Sequence, residues 1–519
     1  MAGGLLNLVA IGNANIFLNG NPTKTFFNIT YSKYTNFGLQ KFRIDFNGSR
    51  DLRLTEPSTF IFKIPRHADL LMDTYLVVSL PDIWSPVYPP SEGTGNQWAP
   101  YDFRWIEDLG THMIREIEVN CGSFTLARYS GEYLAAMVDR DFPSEKKTLF
   151  NQMTGNVQEL NNPALAHSRY NTYPNAFFRD YVSVATDTIT GVEPSIRGRD
   201  LYIPLNLWFC LNSRCAFPLV ALQYSELEIR VTLRPIQELF QVRDVFDHGE
   251  EEYKFPYVQP DFNQDRFHMY RFLQSPMKSI ITDDDAYLNQ INTWNSDIHL
   301  MCTYAFLSKP EAKLFASSDQ VYLIKDVYTH KFDNIYGSKK VKLESTGMVS
   351  NWMWYFQRND INMRNEWSNY TNWPYRNVPS DIQSAPSDQI VNSSYNLLIN
   401  PDGENTGIFI TGDFNVENQK HILQTMGIVL DGKYRENTLT RGVFDYIEKY
   451  VRTNGSAKEG LYCYQFCLDT NPFVYQPSGA LNLGKFNTIE LEFVTHTPQT
   501  DGKRSSYDVI CDEDGNAIA

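Results

Sequence analysis

The 519-residue chain is short of positive charge: 46 Lys and Arg stand against 61 Asp and Glu, a formal net charge of −15. Wrapping DNA or RNA needs clustered cations against phosphate, so that role is excluded and only a local basic patch stays open. Cysteine is scarce. The seven are scattered and odd in number, which excludes a secreted disulfide scaffold. Long apolar runs are lacking too. The first twenty residues, MAGGLLNLVAIGNANIFLNG, carry no Lys or Arg, and their apolar part is too short to cross a bilayer or to read as a signal peptide. No transmembrane segment is read anywhere, and synthesis and use on the cytosolic side are expected. The nine His form no HExxH or similar pattern, so no metalloprotease-type site is read.

What is abundant is aromatic. Tyr and Phe number 31 and 33, and aromatics are 14% of the chain, a bias toward β-structure. The length exceeds one ordinary core and suits two domains. Between them stands DIHLMCTYAFLSKPEAKLFASSDQVYLIKDVYTHKFD, residues 297–333. Ile298, Leu300, Cys302, Tyr304 and Phe306 share one face of a predicted strand. Ser308, Pro310 and Glu311 have the spacing of a capped short helix, and a new β-rich run opens at Val321.

On either side the chain repeats one grammar. Residues 1–25 read as an arm ending in the turn Asn19-Gly20-Asn21-Pro22. Strands are predicted at Phe60–Pro65, Tyr75–Leu80 and Ile114–Val119, and helices at Leu126–Val138 and Glu145–Met153. Ile203, Leu205, Leu207 and Phe209 alternate with Pro204, Asn206 and Trp208, and Glu226–Leu233 alternates without a break. Residues 234–296 read as a long polar excursion. In the second half Val349–Gln357, Phe409–Val416 and Ile422–Leu430 read as strands. Leu461–Leu468 parallels Leu201–Phe209, and Ile489–Val494 parallels Glu226–Leu233. Short strands and long loops, in the same order twice, predict two antiparallel sandwiches of jelly-roll type. The expected domains are an arm (1–25), a first jelly roll (26–308), a linker helix (309–320) and a second jelly roll (321–519). No counterpart of the 297–307 strand is visible after Val494, so the second sandwich is expected to lack its closing strand.

Chemical motifs are few. Gly479 to Lys485 has phosphate-loop spacing, but Phe486 stands where a Ser or Thr would hold magnesium, and a strand follows. Cys463 and Cys467 share a strand face at roughly 13 Å, too far apart for a disulfide, and read as core thiols. Cys210 and Cys215 have no further metal ligands nearby. The Asp283–Asp285 run reads as solvated, and Trp352, Trp354 and Phe356 read as sheet core. No catalytic residue, metal site or cofactor is assigned.

Several stretches carry a resemblance. MAGGLLNLVA at the start, GNP at 20–22 with TFF and YTNF after it, PLVALQYSELEI (218–229), RNDINMRNEWSNYTNWPY (358–375) and QPSGALNLGKF (476–486) resemble the major capsid proteins of nucleocytoplasmic large DNA viruses, on the giant-virus, mimivirus-like side. The resemblance runs from residue 1 to about 495. It implies an all-β double jelly roll with short helices in its loops and no enzyme activity. It further implies a homotrimer forming a pseudo-hexagonal capsomer that tiles an icosahedral shell around an internal membrane and DNA genome. Neighbouring capsomers and minor and penton proteins would be its partners, without direct nucleic-acid contact. Its place would be the virion, assembled in the host cytoplasm. The loops at 81–101, 234–296 and 358–407 would supply the outer tower and trimer contacts, and the uncharged arm would order neighbours under the shell.

Asn-x-Ser/Thr occurs at Asn28, Asn47, Asn369, Asn392 and Asn454. The last three, in predicted loops, are the candidate glycan acceptors. Two other readings stand beside the shell protein. A minor or vertex capsid protein would commonly use one jelly roll rather than two. A double-jelly-roll enzyme acting on glycans would need paired carboxylates or a metal in a groove, and no such set is present in the sequence.

Overall fold

The computed structural model describes residues 2–496 apart from 47, 50, 86, 89–98, 170–171, 177–179, 183–187, 191–192, 223, 244–256, 276–286, 288, 291, 374–396, 400–404 and 410–418. The chain opens with an exposed arm, in which the short helix α1 (Gly3–Val9) buries no residue.

The first body is built from β1 (Phe37–Ile44), β2 (Ser58–Ile64), β3 (Leu70–Ser79), β4 (Phe103–Trp105), β5 (Ile114–Cys121), β6 (Phe124–Tyr129), α2 (Gly131–Asp141), α3 (Ser144–Thr154), β7 (Asp200–Pro204), β8 (Leu227–Leu233), β9 (Phe240–Arg243) and β10 (Ile298–Leu307). Two antiparallel sheets face each other, in the orders β1-β10-β3-β7 and β2-β8-β5-β6. Alternation drives the pairing. In β8, Leu227, Ile229, Val231 and Leu233 are buried while Glu228, Arg230 and Thr232 turn outward. Each buried aliphatic side chain contributes about 1.5–3 kcal/mol of transfer free energy, and a one-residue slip would reverse every one of them. The inner faces merge in one core that runs from Ile44 to Tyr304.

After the helix α4 (Lys309–Ser317), the second body comprises β11 (Ser338–Lys342), β12 (Asn351–Trp354), β13 (Leu423–Leu430), β14 (Lys433–Thr440), α5 (Glu448–Arg452, continuing a wide π-turn over Val443–Ile447), β15 (Tyr462–Gln465) and β16 (Ile489–Thr495). Its four-stranded sheet has the order β11-β16-β13-β14. This repeats β2-β8-β5-β6 strand for strand: the outermost strand, the last strand of the motif, then a hairpin. A helix follows the hairpin in both bodies, and the strand after that helix pairs with the counterpart of β3, as β7 with β3 and β15 with β12. Among the described residues of this body, β12 and β15 pair as a two-stranded sheet, beside two further short pairs, Met348–Val349 with Leu481–Asn482 and Leu397–Ile399 with Asn405–Phe409. Trp352, Trp354 and Phe356 pack against its core, as expected of them.

Several expected elements shift. The predicted helix 126–138 begins as β6. The helix starts only after Ser130, whose Oγ accepts from Tyr133 N (3.2 Å) as an N-cap. Gly131 opens it because a Cβ there would meet Thr111 O at 1.9 Å. The alternating run 203–209 stops at Pro204, because Asn206 is left-handed (φ 50°) and Trp208–Leu211 turns helical. The excursion 234–296 is less polar in place than in sequence: Phe240, Val242, Phe272 and Trp294 all join the first core. Ser308 sits at the N-cap of α4 with an extended backbone, but its side chain makes no capping bond. No strand forms at Val321; residues 318–337 carry none, and the second body's first strand is β11. The 297–307 strand forms as β10, inserted between β1 and β3. The 409–416 strand lies outside the described residues except for Phe409, which ends the strand Asn405–Phe409.

Candidate functional site: the seam between the two bodies

The two bodies meet along a buried, largely polar seam. Helix α2 supplies most of the first body's side of it. Its residues Leu134, Met137 and Val138 face the first core. Its other face, Glu132, Ala136 and Arg140, one helical turn apart, faces the second body. Ala136 packs with Tyr370 and Leu461, beside Met353, Tyr355 and Ala457.

Arg140 and Asp141 are both buried and paired. The guanidinium donates to both oxygens of Asp141 (2.7 and 2.6 Å) and to Asn351 Oδ1 of β12 (2.7 Å). Thr470 donates to Asp141 Oδ1 (2.6 Å). Gly455 brings its backbone N–H onto Arg140 O (2.8 Å); a Cβ at Gly455 would meet that oxygen at 2.5 Å, so only glycine allows the approach. Lys147 reaches Ser456 O (3.0 Å) and pairs with Asp139 (2.8 Å).

A second knot centres on Asp108, left-handed at φ 52° just before the turn Leu109–Met113. Its carboxylate accepts from Asn156 Nδ2 (2.5 Å), from Ser368 Oγ (2.7 Å) and from Lys458 Nζ. His112 Nε2 lies 2.9 Å from Ser368 Oγ. Since that hydroxyl donates to Asp108, the ring nitrogen is the donor. Burial would raise the Asp108 carboxyl, but the opposing groups around it, the charge of Lys458 first among them, together outweigh it and hold the group below the ordinary range. Burial pushes His112 down to about 4, so the imidazole is neutral.

The segment 358–373 forms the wedge of the second body. The sequence suggested a surface loop here, but Arg364, Asn365, Ser368, Asn369 and Tyr370 are all buried. Asn365, left-handed at φ 53°, donates through Nδ2 to Gln237 O (2.7 Å) and Phe240 O (2.8 Å). Glu366 pairs with Arg104 (3.2 Å) and Trp367 Nε1 donates to Glu238 O (2.9 Å). Tyr355 OH donates to Glu132, which also holds Arg234 (2.9 and 2.6 Å). Asn365 thereby satisfies buried backbone groups of the first body.

The candidate glycan acceptors separate in this setting. Asn369 is buried: its Oδ1 accepts from Thr371 N and Oγ1 (3.0 and 2.6 Å), and its Nδ2 donates to Trp373 O (2.9 Å). That amide is inaccessible in the folded chain. Asn454 is exposed, and Asn392 lies outside the described residues, as does Asp283–Asp285. Cys463 and Cys467 are buried, and Leu483–Lys485 is one 3-10 turn leading to β16 rather than a phosphate-binding helix start. Among the described residues no cluster of three or more His, Cys, Asp or Glu could hold a metal, and no helix is long and apolar enough to cross a membrane. The sequence signalled none of Asp108, His112, Arg140 or Lys458. Their partners lie hundreds of residues away, and the one hint was a charged triplet, Asp139-Arg140-Asp141, closing an apolar helix.

Two sandwiches repeated in tandem define the double jelly-roll class found in viral capsid proteins. The chain belongs to the major capsid protein family of large eukaryotic DNA viruses: residues 25–300 match the family described as major capsid protein N-terminus, and residues 311–515 match large eukaryotic DNA virus major capsid protein. It is 25% identical to the major capsid protein of Phaeocystis pouchetii virus over 97% of this chain and 94% of that one. It is 28% identical to capsid protein 1 of Acanthamoeba polyphaga mimivirus over 48% of this chain and 37% of that one. The fold matches the Faustovirus major capsid protein (TM-score 0.59, 13% identity, 92% of this chain and 90% of that one) and the PBCV-1 virus capsid (0.55, 18%, 93% and 89%).

Proposed function

We propose that this major capsid protein builds its shell as a homotrimer, a pseudo-hexagonal capsomer in an icosahedral lattice. The lattice would enclose an internal membrane and DNA, with minor and penton proteins as further partners and assembly in the host cytoplasm. The observation that carries this reading is the strand-for-strand repeat of the two bodies. Three copies offer six similar lobes, which suits a position with six neighbours. The seam supports it, since lobes held at a fixed angle keep that spacing. In this reading the sandwiches span 26–308 and 321–519, joined by 309–320. Light scattering on the soluble full chain is expected to give three times the 60.0 kDa chain mass; a monomer at micromolar concentration would count against the capsomer.

The arm serves assembly in this proposal. Phe17 and Leu18 are each more than four-fifths exposed, with Ile11 and Ile16 also exposed, an apolar surface awaiting partners. Deleting residues 1–20 is expected to leave the trimer mass unchanged and to abolish normal shells; normal shells from the shortened chain would remove this role. Asn454 is the one described sequon we retain as a glycan acceptor.

A further inference from the structure

The packing of the seam makes one of its own residues labile. Asn-Gly occurs three times in the chain, at 19–20, 47–48 and 454–455. The first pair lies in the exposed arm, and Asn47 lies outside the described residues. The third pair lies at the joint. There the glycine is obligatory: a Cβ at position 455 would meet Arg140 O at 2.5 Å and Asp139 O at 2.6 Å. Glycine, with no Cβ, leaves its own backbone nitrogen unshielded and its dihedral angles free. The packing that demands Gly455 thereby places beside Asn454 the neighbour that allows an asparagine amide to be lost most readily.

Both reacting groups are held in the closed joint. The nucleophile is the Gly455 nitrogen, whose N–H donates to Arg140 O (2.8 Å). The electrophile is the exposed Asn454 side-chain amide, whose Nδ2 donates to Asp469 Oδ1 (3.4 Å). The flanking backbone is tied as well. Thr453 N–H donates to Lys449 O (3.0 Å), and Ser456 O accepts from Lys147 Nζ (3.0 Å). Attack requires the Gly455 nitrogen to lose its proton and to swing over Asn454 Cγ. Neither happens while Arg140 O holds the N–H, so a local opening must come first.

We infer that Asn454 is a spontaneous deamidation site whose rate is set by opening of the seam, and that its conversion loosens the seam irreversibly. Water is the co-reactant. Hydroxide takes the Gly455 amide proton, and the nitrogen bonds to Asn454 Cγ. The Cγ–Nδ2 bond breaks, and Nδ2 leaves as ammonia with a proton from water. Hydrolysis of the resulting succinimide gives aspartate or isoaspartate, with no change in oxidation state. Either product replaces a donor to Asp469 by a carboxylate facing it, a like-charge pair. Isoaspartate also lengthens the main chain before Gly455 by a methylene, which displaces the N–H from Arg140 O.

The test uses the full chain made in bacteria, so that no glycan occupies Nδ2, held in mildly alkaline buffer. Peptide mass spectrometry follows conversion of Asn454 in folded wild type, in wild type unfolded in urea, and in folded Arg140→Met. The folded wild type is expected to convert at least about tenfold more slowly than the unfolded chain, and folded Arg140→Met about tenfold faster than folded wild type. Equal rates in the folded and unfolded wild type overturn the restraint by the seam. A protected wild type whose rate Arg140→Met does not raise overturns seam opening as the route. Should that variant fail to fold, Lys147→Met decides in its place, because it releases Ser456 O and Asp139 and leaves Arg140 seated. The converted fraction, separated by its added negative charge, is expected to unfold at a lower urea concentration than the unconverted one; identical midpoints overturn the loosening.

Discussion

Replacing Arg140 by methionine is expected to lower the unfolding free energy by about 3–5 kcal/mol, because it strips a buried carboxylate of its charge partner. Asp141 would keep only Thr470, and Asn351 would lose the guanidinium. The pair itself brings little net stability, since desolvation offsets its attraction; the loss comes from leaving one member behind. The double variant R140M/D141L is therefore expected to recover most of the deficit. Urea unfolding measures both. Amide exchange at Gly455, whose N–H is bonded to Arg140 O, is expected to accelerate in R140M alone. A deficit below about 1 kcal/mol would show that water reaches Asp141, as for an exposed pair.

Acidification is expected to weaken the same seam through His112. Its ring is buried and neutral, with a folded pKa near 4 against 6.5 when exposed. Between those values the unfolded chain binds a proton that the folded chain refuses, so stability is full above about pH 6.5 and falls as pH drops toward 4. The loss from pH 7 to pH 4.5 is roughly 2.5 kcal/mol for this one group. The groups acting on it are Asp108, Glu132, Arg234 and Lys458. Asp108, held below the ordinary carboxylate range, stays ionised over this window, and its own contribution is lost only at lower pH. H112Q keeps a donor for Ser368 and removes the titration. Its stability profile is expected to be flatter than the wild type's by that amount between pH 7 and 4.5; parallel profiles would mean that His112 is protonated in the fold.

Local patterns were legible wherever a residue's neighbours in sequence decide its surroundings. Strands such as Glu226–Leu233 and Ile489–Val494 announce themselves because one face is buried along their whole length. The repeat was legible for the same reason, since both bodies write the same strands in the same order. Legibility failed where a single backbone angle interrupts the pattern, as at Asn206, and where a run that looks polar is buried. Residues 358–373 are the clearest case. Their Asn, Ser and Arg side chains suggest a solvated loop, but Asn365 and Ser368 meet groups of the other body, and Arg358, Arg364 and Asn369 are held by partners within the segment itself.

The class, two antiparallel sandwiches, and the family follow from the sequence alone. Composition, alternation and short motifs encode these, and all are local along the chain. How the bodies are joined is set by the folded chain. Asp108 finds Lys458, and Asp141 finds Thr470, across more than 300 residues. A buried charge is stable only beside a partner, and the identity of that partner is set by the packing of distant elements, not by anything written near it in the chain.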